Sequence, residues 1–347
     1  MKRHSLLHLC FVLNLSLLAA DEPARLDLAP VVERELAAGK TVIEASLAAM
    51  DEFLAFMAAH PGAPIVLDSS VPSTPDGSSP AWNAIRSVRR FVDGSNVCWK
   101  TVSDRRRYLY WTPDQDKEDK AAPCAAYPDG RLALKNKAGE HWWAKRVREK
   151  TSEVNALRGK TVDVVFVGDS ITHFLEGRWG QHDVPWPSVT AFTNGLATLN
   201  LGIGGDRTEH ALWRTKYGLL DGYRAKCVSI LIGTNNDSKR DSATDIVRAI
   251  SDLVKIVREK QPEATVVLTA LLPREYAPDD PKEIKNRAVN AELRKLVDGK
   301  RVLWLDFGDK LRGPDGKLRK EFCCDGVHPN DAGYKIWLEA FKDLKCL

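Results

Sequence analysis

From residue 141 onward the chain alternates short, mostly apolar and β-branched runs with amphipathic helical stretches, and this alternation narrows the possible folds more than any other feature. The runs lie at 162–167, 197–201, 228–232, 265–272 and 302–305. The helical stretches lie at 142–156, 208–219, 241–260, 284–298 and 331–345. A strand that is apolar along its whole length is buried on both faces, which predicts a parallel sheet covered by helices on either side. Within 241–260, Ile246, Val247, Ile250, Leu253, Val254 and Val257 recur at helical spacing and make one apolar stripe.

Open parallel sheets bind their ligands beyond the carboxyl ends of the strands, and four polar or glycine-rich clusters fall there. They are Gly168-Asp169-Ser170, Gly202-Ile203-Gly204-Gly205-Asp206, Gly233-Thr234-Asn235-Asn236-Asp237 and Asp325-Gly326-Val327-His328. Each alone is an ordinary turn composition; their joint placement is what points to a site. A serine hydroxyl needs a base to take its proton, and the base needs a third group to hold its tautomer. The three-residue spacing of Asp325 and His328 lets the carboxylate reach the imidazole, so Ser170, His328 and Asp325 are the candidate catalytic residues. Pro329 and Asn330 suit a rigid lead-in and an N-cap for the last helix. For the oxyanion, the backbone N–H of Ser170, the backbone N–H of Gly205 and the side-chain amide of Asn235 are the candidate donors. Asp169, Arg207 and Trp213 are weaker candidates for contacts with substrate, and Asp169 equally suits a role in tying down backbone N–H groups.

Other chemistries do not fit. Ser170 is followed by Ile171-Thr172, so the G-x-S-x-G elbow is absent. No H-E-x-x-H occurs, and no G-x-G-x-x-G follows the first strand. Cys323 and Cys324 are adjacent and lack the paired spacing of a structural zinc site.

The four clusters, in this order, resemble the SGNH, or GDSL, hydrolase family. That family carries Gly-Asp-Ser, then a glycine, then Gly-x-Asn, then Asp-x-x-His. The stretches Asn200 to Asp206, Leu212-Trp213-Arg214 and Leu271-Leu272-Pro273-Arg274 resemble its platelet-activating-factor acetylhydrolase-like branch, which includes bacterial carbohydrate acetylesterases. The resemblance spans about 141–345. It implies a three-layer α/β/α domain of flavodoxin-like order with a five-stranded parallel sheet. It also implies ester hydrolysis through an acyl-enzyme, usually of small acyl groups, with no metal or other cofactor. Ile171 stands where the name motif has Leu, an apolar exchange.

Residues 1–20 predict a signal peptide. Lys2 and Arg3 precede a mostly apolar stretch, and Ala19-Ala20 precede Asp21, although Leu18 sits where a small residue is preferred. The apolar stretch is too short to span a bilayer, so a secreted or periplasmic protein without stable membrane insertion is expected. The formal charge is +4, two units of it from Lys2 and Arg3, and no basic stripe interleaves with aromatics. Nucleic acid is therefore not an expected partner. Of the seven cysteines, Cys10 leaves with the signal; Cys98 and Cys124 are expected to form a disulfide, and Cys227 to be an inert core residue.

Residues 21–130 form an N-terminal α+β accessory region or small domain. Its helix-like stretch at 29–60 has a possible break at Gly39. A Ser/Pro-rich loop follows at 68–81, a helix at 81–92, and strands near 65–67, 97–102 and 106–111. This region is expected to govern which substrate is used, with Tyr108, Tyr110 and Trp111 as exposed aromatics; the alternative is a packing extension that stabilises the hydrolase. Residues 141–347 form the hydrolase domain. The expected activity is that of a secreted esterase that removes acetyl groups from O-acylated carbohydrate, with Trp179, Trp186 and Trp213 able to stack on a sugar. The alternatives are a lipid or aryl esterase with the same triad, a peptidoglycan O-acetylesterase, and a glycan-binding protein on an inactive scaffold. The intact Ser170, Asn235, Asp325 and His328 argue against the last.

Overall fold

The computed structural model describes residues 24–60, 65–69, 79–89, 97–101, 109–110, 140–177, 184–236 and 241–346. The expected signal segment, Cys124, Trp179, Tyr108, Trp111, and the side chains of Cys98 and Tyr110 lie outside the described residues.

The C-terminal part holds a five-stranded parallel sheet. Its strands are β5 (Thr161–Gly168), β6 (Thr198–Asn200), β7 (Arg224–Leu231), β8 (Thr265–Thr269) and β9 (Val302–Leu305), in the order β6-β5-β7-β8-β9. The register sets Val165 of β5 beside Leu199 of β6 and Val228 of β7. Flanking helices are α4 (Trp142–Ala156), α5 (Ser170–His173), α6 (Pro187–Thr193), α7 (Thr208–Arg214), α8 (Ala243–Lys260), α9 (Pro281–Leu293) and α10 (Asp331–Asp343). The apolar stripe of α8 is buried as its periodicity predicts. That helix opens on a capping box, in which Ser242 and Asp245 each accept the other's backbone N–H. Phe166 of β5 packs its ring against Trp337 and Phe341 of α10 and Phe192 of α6, so the last helix covers the first strand of this sheet.

Two strand boundaries of this sheet differ from the sequence expectation by more than one residue. β7 begins at Arg224 rather than 228, because exposed Arg224 and Lys226 alternate with buried Ala225 and Cys227 before the continuous apolar run starts. β8 stops at Thr269 rather than 272. Beyond it the Asn290 side chain takes both backbone groups of Leu271, at 2.7 and 2.9 Å, so the chain leaves the ladder.

The N-terminal part has its own four-stranded sheet, order β1-β2-β3-β4, made of Ala24–Asp27, Ile65–Ser69, Val97–Thr101 and Leu109–Tyr110. The first three run parallel and the fourth pairs antiparallel. The helical stretch divides around Gly39 into α1 (Ala29–Ala37) and α2 (Val42–Ala59), the second opened by a Thr41–Glu44 capping box. A third helix, α3, spans Pro80–Arg89. Helix α2 meets α4: Glu44 accepts from Asn155 at 3.2 Å and Asp51 pairs with Arg148 at 2.7 Å. Leu28, Ile43, Met50 and Phe53 belong to the same continuous apolar core as Trp143 and Val147 of α4. Among the described residues no helix is long and apolar enough to cross a membrane.

Cys227 is fully buried, with its sulfur 3.6 Å from that of Cys346. The shared contact and the burial together push its thiol pKa up, so it is protonated and inert, in line with the sequence expectation.

Candidate active site

β5 delivers Ser170. At Gly168 a Cβ would stand 2.0 Å from Thr172 Oγ1 and 2.5 Å from Leu231 O, so only glycine lets the strand turn this close to β7. Asp169 then caps α5, its Oδ1 accepting the Ile171 N–H at 2.9 Å. The Ser170 hydroxyl lies 2.8 Å from His328 Nε2. On the other side of the ring, Nδ1 lies 2.9 Å from Asp325 Oδ2 and 3.1 Å from Oδ1. When Nδ1 donates to Asp325, Nε2 is left to accept the serine proton. Ser170 is buried, His328 partly buried and Asp325 exposed.

The Asp325–His328 turn is held by its own atoms and by Glu275, whose N–H donates to the Gly326 carbonyl at 2.7 Å. Asp325 Oδ1 accepts the N–H groups of Val327 and His328, and the Cys324 N–H donates to the His328 carbonyl at 2.8 Å. Partial burial opposes ionisation of Asp325. The His328 ring, with those two backbone N–H groups, outweighs it and brings the carboxyl down to about 2. Asn330 caps α10 by accepting the Gly333 N–H at 3.2 Å, and Tyr334 of α10 donates to the Ile171 carbonyl at 2.7 Å. The Phe174 ring lies 4.9 Å from the His328 ring.

Gly205 is exposed at φ +67°, a left-handed conformation that favours glycine. Beneath it, the Gly204 N–H donates to His173 Nδ1 at 3.2 Å. Burial, then the nearby charges of Arg146, Lys150 and Arg214, lower the His173 pKa to about 3, so that ring stays neutral and keeps its acceptor. Asp206 is wholly buried; it accepts from Trp143 Nε1 at 2.7 Å and from Arg214 Nε at 2.8 Å. Arg214, also wholly buried, donates onward to the Leu201 carbonyl and, at 2.7 Å, to the Gly168 carbonyl. One guanidinium thus joins the ends of β5 and β6. The Asn235 amide donates to the Asp206 carbonyl at 2.9 Å, which brings the third cluster against the second.

All four clusters therefore meet at one edge of the sheet. Of the three weaker candidates, Trp213 and Asp169 are buried, and Arg207 remains partly exposed. Trp213 is 1% exposed and packs between Trp143 and Tyr217, so it fills core and has no face for a sugar. Asp169 is 1% exposed and acts as a cap; burial first, and Asp206 nearby, raise its carboxyl to about 7 against the Ile171 N–H and the charges of Arg214 and Arg274. Arg207 pairs with the buried carboxylates of Glu209 at 2.5 Å and Asp241 at 3.6 Å, and so braces α7. Trp186 donates its indole N–H to the Phe174 carbonyl at 2.9 Å. Sequence reasoning missed His173 and the role of Arg214. A histidine one turn after the serine and an arginine inside a helix carry no signal until folding buries them. Among the described residues no group of three or more His, Cys, Asp or Glu side chains could hold a metal ion.

The model of the GDSL-like lipase/acylhydrolase family matches residues 166–336. The chain is 35% identical over 188 residues to platelet-activating factor acetylhydrolase IB subunit alpha1 of Homo sapiens, covering 54% of this chain and 77% of that protein. It is 33% identical over 178 residues to subunit alpha2 of Rattus norvegicus, covering 51% and 73%. Among solved structures it is similar to a GDSL-like lipase from Bacteroides thetaiotaomicron, with 20% identity, 57% and 97% coverage and a TM-score of 0.47. It is also similar to a mutant acetyl-xylooligosaccharide esterase from Geobacillus Stearmophilus, with 19% identity, 54% and 94% coverage and a TM-score of 0.43.

Proposed function

The chain belongs to the GDSL-like lipase/acylhydrolase (SGNH hydrolase) family and is a carboxylic ester hydrolase, and from that premise we propose that it removes acetyl groups from an O-acetylated carbohydrate through an acyl-enzyme on Ser170. The observation that carries the mechanism is the continuous line Asp325–His328–Ser170, with distances of 2.9 and 2.8 Å. His328, oriented by Asp325, takes the Ser170 proton as the serine oxygen attacks the ester carbonyl. The oxyanion is held by the backbone N–H groups of Ser170 and Gly205 and by the Asn235 amide. One hydrogen of that amide is committed to Asp206 O, which aims the other. His328 then protonates the leaving alcohol and activates the water that releases acetate.

Two features support a small acyl group on a hydrophilic alcohol. Relatives of this chain are named as acetylhydrolases. Among the described residues, the exposed large apolar side chains are Met57, Val184 and Ile284, which offer little for a lipid surface to rest on. A second reading, an acetylated phospholipid, is favoured by the same relatives, whose name specifies platelet-activating factor. Secretion or a periplasmic location rests on the pattern of residues 1–20, and the N-terminal sequence of the mature protein tests it.

Acetate release from acetylated xylan, pectin, sialic acid, peptidoglycan and a 2-acetyl glycerophospholipid in vesicles decides the substrate. Preferred turnover of one of the glycans supports the carbohydrate reading. Preferred turnover of the phospholipid replaces it with the second.

A further inference from the structure

We infer that Lys285 is a positioning residue for the oxyanion site, holding the Gly233–Asn236 turn so that the Asn235 amide faces the reacting carbonyl. This deepens the proposed mechanism and rests on Asn235 being an oxyanion donor. Lys285 lies on α9, across from the end of β7, with its side chain buried. Its ammonium donates to the carbonyls of Gly233 at 3.1 Å, Thr234 at 3.1 Å and Asn236 at 2.9 Å. A buried ammonium is costly unless it is well hydrogen-bonded, and here three carbonyls of one short turn provide the bonds.

The reciprocal effect is geometric. Three carbonyl dipoles converging on one point repel one another unless a cation sits between them. With Lys285 in place the turn has one low-energy shape. Two neighbours reinforce it: Arg274 donates to the Thr234 carbonyl at 2.9 Å, and Asn286 bridges the Leu272 carbonyl at 3.1 Å to Thr234 Oγ1 at 3.4 Å. On the opposite side the side chains of Asn235 and Asn236 reach out from the turn. Asn235 crosses to Asp206 O, while Asn236 exchanges hydrogen bonds with Thr208 at 3.1 Å. Lys285 thus grips the backbone from behind while Asn235 points forward. An oxyanion donor works only within a few tenths of an ångström of where charge develops, so the grip controls rate and not binding of the ester.

A double-mutant cycle on 4-nitrophenyl acetate tests this. Lys285→Met keeps most of the side-chain volume and removes the cation. In the wild-type background it is expected to lower kcat by about 10- to 100-fold with KM within about twofold. In an Asn235→Ala background the same change is expected to lower kcat by less than about threefold, because the group it positions is gone. Lys285→Arg, which restores a cation and donors, is expected to recover part of the loss. Equal losses in both backgrounds would mean that Lys285 merely stabilises the fold, and an unchanged kcat in folded Lys285→Met would remove any role. If Asn235→Ala alone leaves kcat intact, the oxyanion assignment itself fails, a separate result from additivity. Should Lys285→Met be insoluble, Lys285→Gln, which also removes the cation, is carried through the same cycle, and additivity there overturns the inference equally.

Discussion

The two halves of the site are built in opposite ways. Asp325 and His328 stand on a rim turn that is partly open to water and held by hydrogen bonds within residues 324–328 together with one from the Glu275 N–H to the Gly326 carbonyl. Ser170, Gly205 and Asn235 rest on a buried bed in which Arg214, Asp206, His173 and Lys285 tie the ends of three strands together. The rim must let the imidazole move a proton and admit a leaving alcohol. The bed must not move, because an oxyanion donor is useful only where it is preorganised. Substitutions on the reacting surface should therefore alter rate at nearly constant stability, while substitutions inside the bed should alter both.

The largest effect is expected at Ser170. Ser170→Ala should lower turnover of 4-nitrophenyl acetate by about 10⁴-fold or more, with a melting temperature within about 2 °C of wild type. A phosphonate should label Ser170 in the parent protein, read by peptide mass. Labelling at another serine would break the comparison at its centre.

Next comes Arg214→Met, which leaves the Asp206 carboxylate buried without its guanidinium and frees the Leu201 and Gly168 carbonyls. Breaking a buried pair from one side typically costs about 3–5 kcal/mol, to be read by urea unfolding. A loss under 1 kcal/mol would show that the bed is not what holds the strand ends.

Asn235→Ala should lower kcat by about 10²–10³-fold at nearly constant KM. A rise in KM at constant kcat would instead make Asn235 a binding group and move it out of the oxyanion site.

The smallest effect is a pH dependence confined to the bed. The Asp169 carboxyl sits at about 7 when folded, well above its ordinary value of 3.8. The folded state thus holds a proton that the unfolded state has released. Its stabilising contribution is full below about pH 4 and is lost as pH rises through 7. Asn can keep the cap to Ile171 N without titrating. Relative to Asp169→Asn, the wild-type protein should therefore lose about 1 kcal/mol of stability between pH 6 and 7. Parallel stability curves for the two proteins would show that Asp169 is ionised throughout. Asp325, brought down to about 2 by its rim hydrogen bonds, should add no such dependence in this range.

The N-terminal and C-terminal regions differ in how much could be read from residues alone. Of the five strands after 141, the central β5, β7 and β8 announced themselves because they are buried on both faces over most of their length and so are largely apolar, whereas the edge strands β6 and β9 are only partly buried. Only their ends were misplaced, and there a side chain (Asn290) or a charged alternation (Arg224, Lys226) replaced the pattern. The break near Gly39 was also legible, since local propensity and a capping box suffice to divide a helix. What did not follow from the sequence of the N-terminal region is that α1 and α2 share one apolar core with α4. Apolar residues report that they will be buried and not against what.

By itself, the sequence determined the sheet, its covering helices, and the order in which four clusters arrive at the strand ends, because periodicity and turn chemistry are local properties. Tertiary structure alone decided the support of the site. Arg214, His173 and Lys285 bring no chemistry as single letters; they become positioning groups only when strands distant in sequence converge and leave carbonyls and carboxylates buried. It decided equally that Trp213 is core and Arg207 a brace, since exposure is a property of the packed molecule. The physical reason is common to both: hydrogen-bond satisfaction in a low-dielectric interior depends on neighbours from other elements, which no run of adjacent residues specifies.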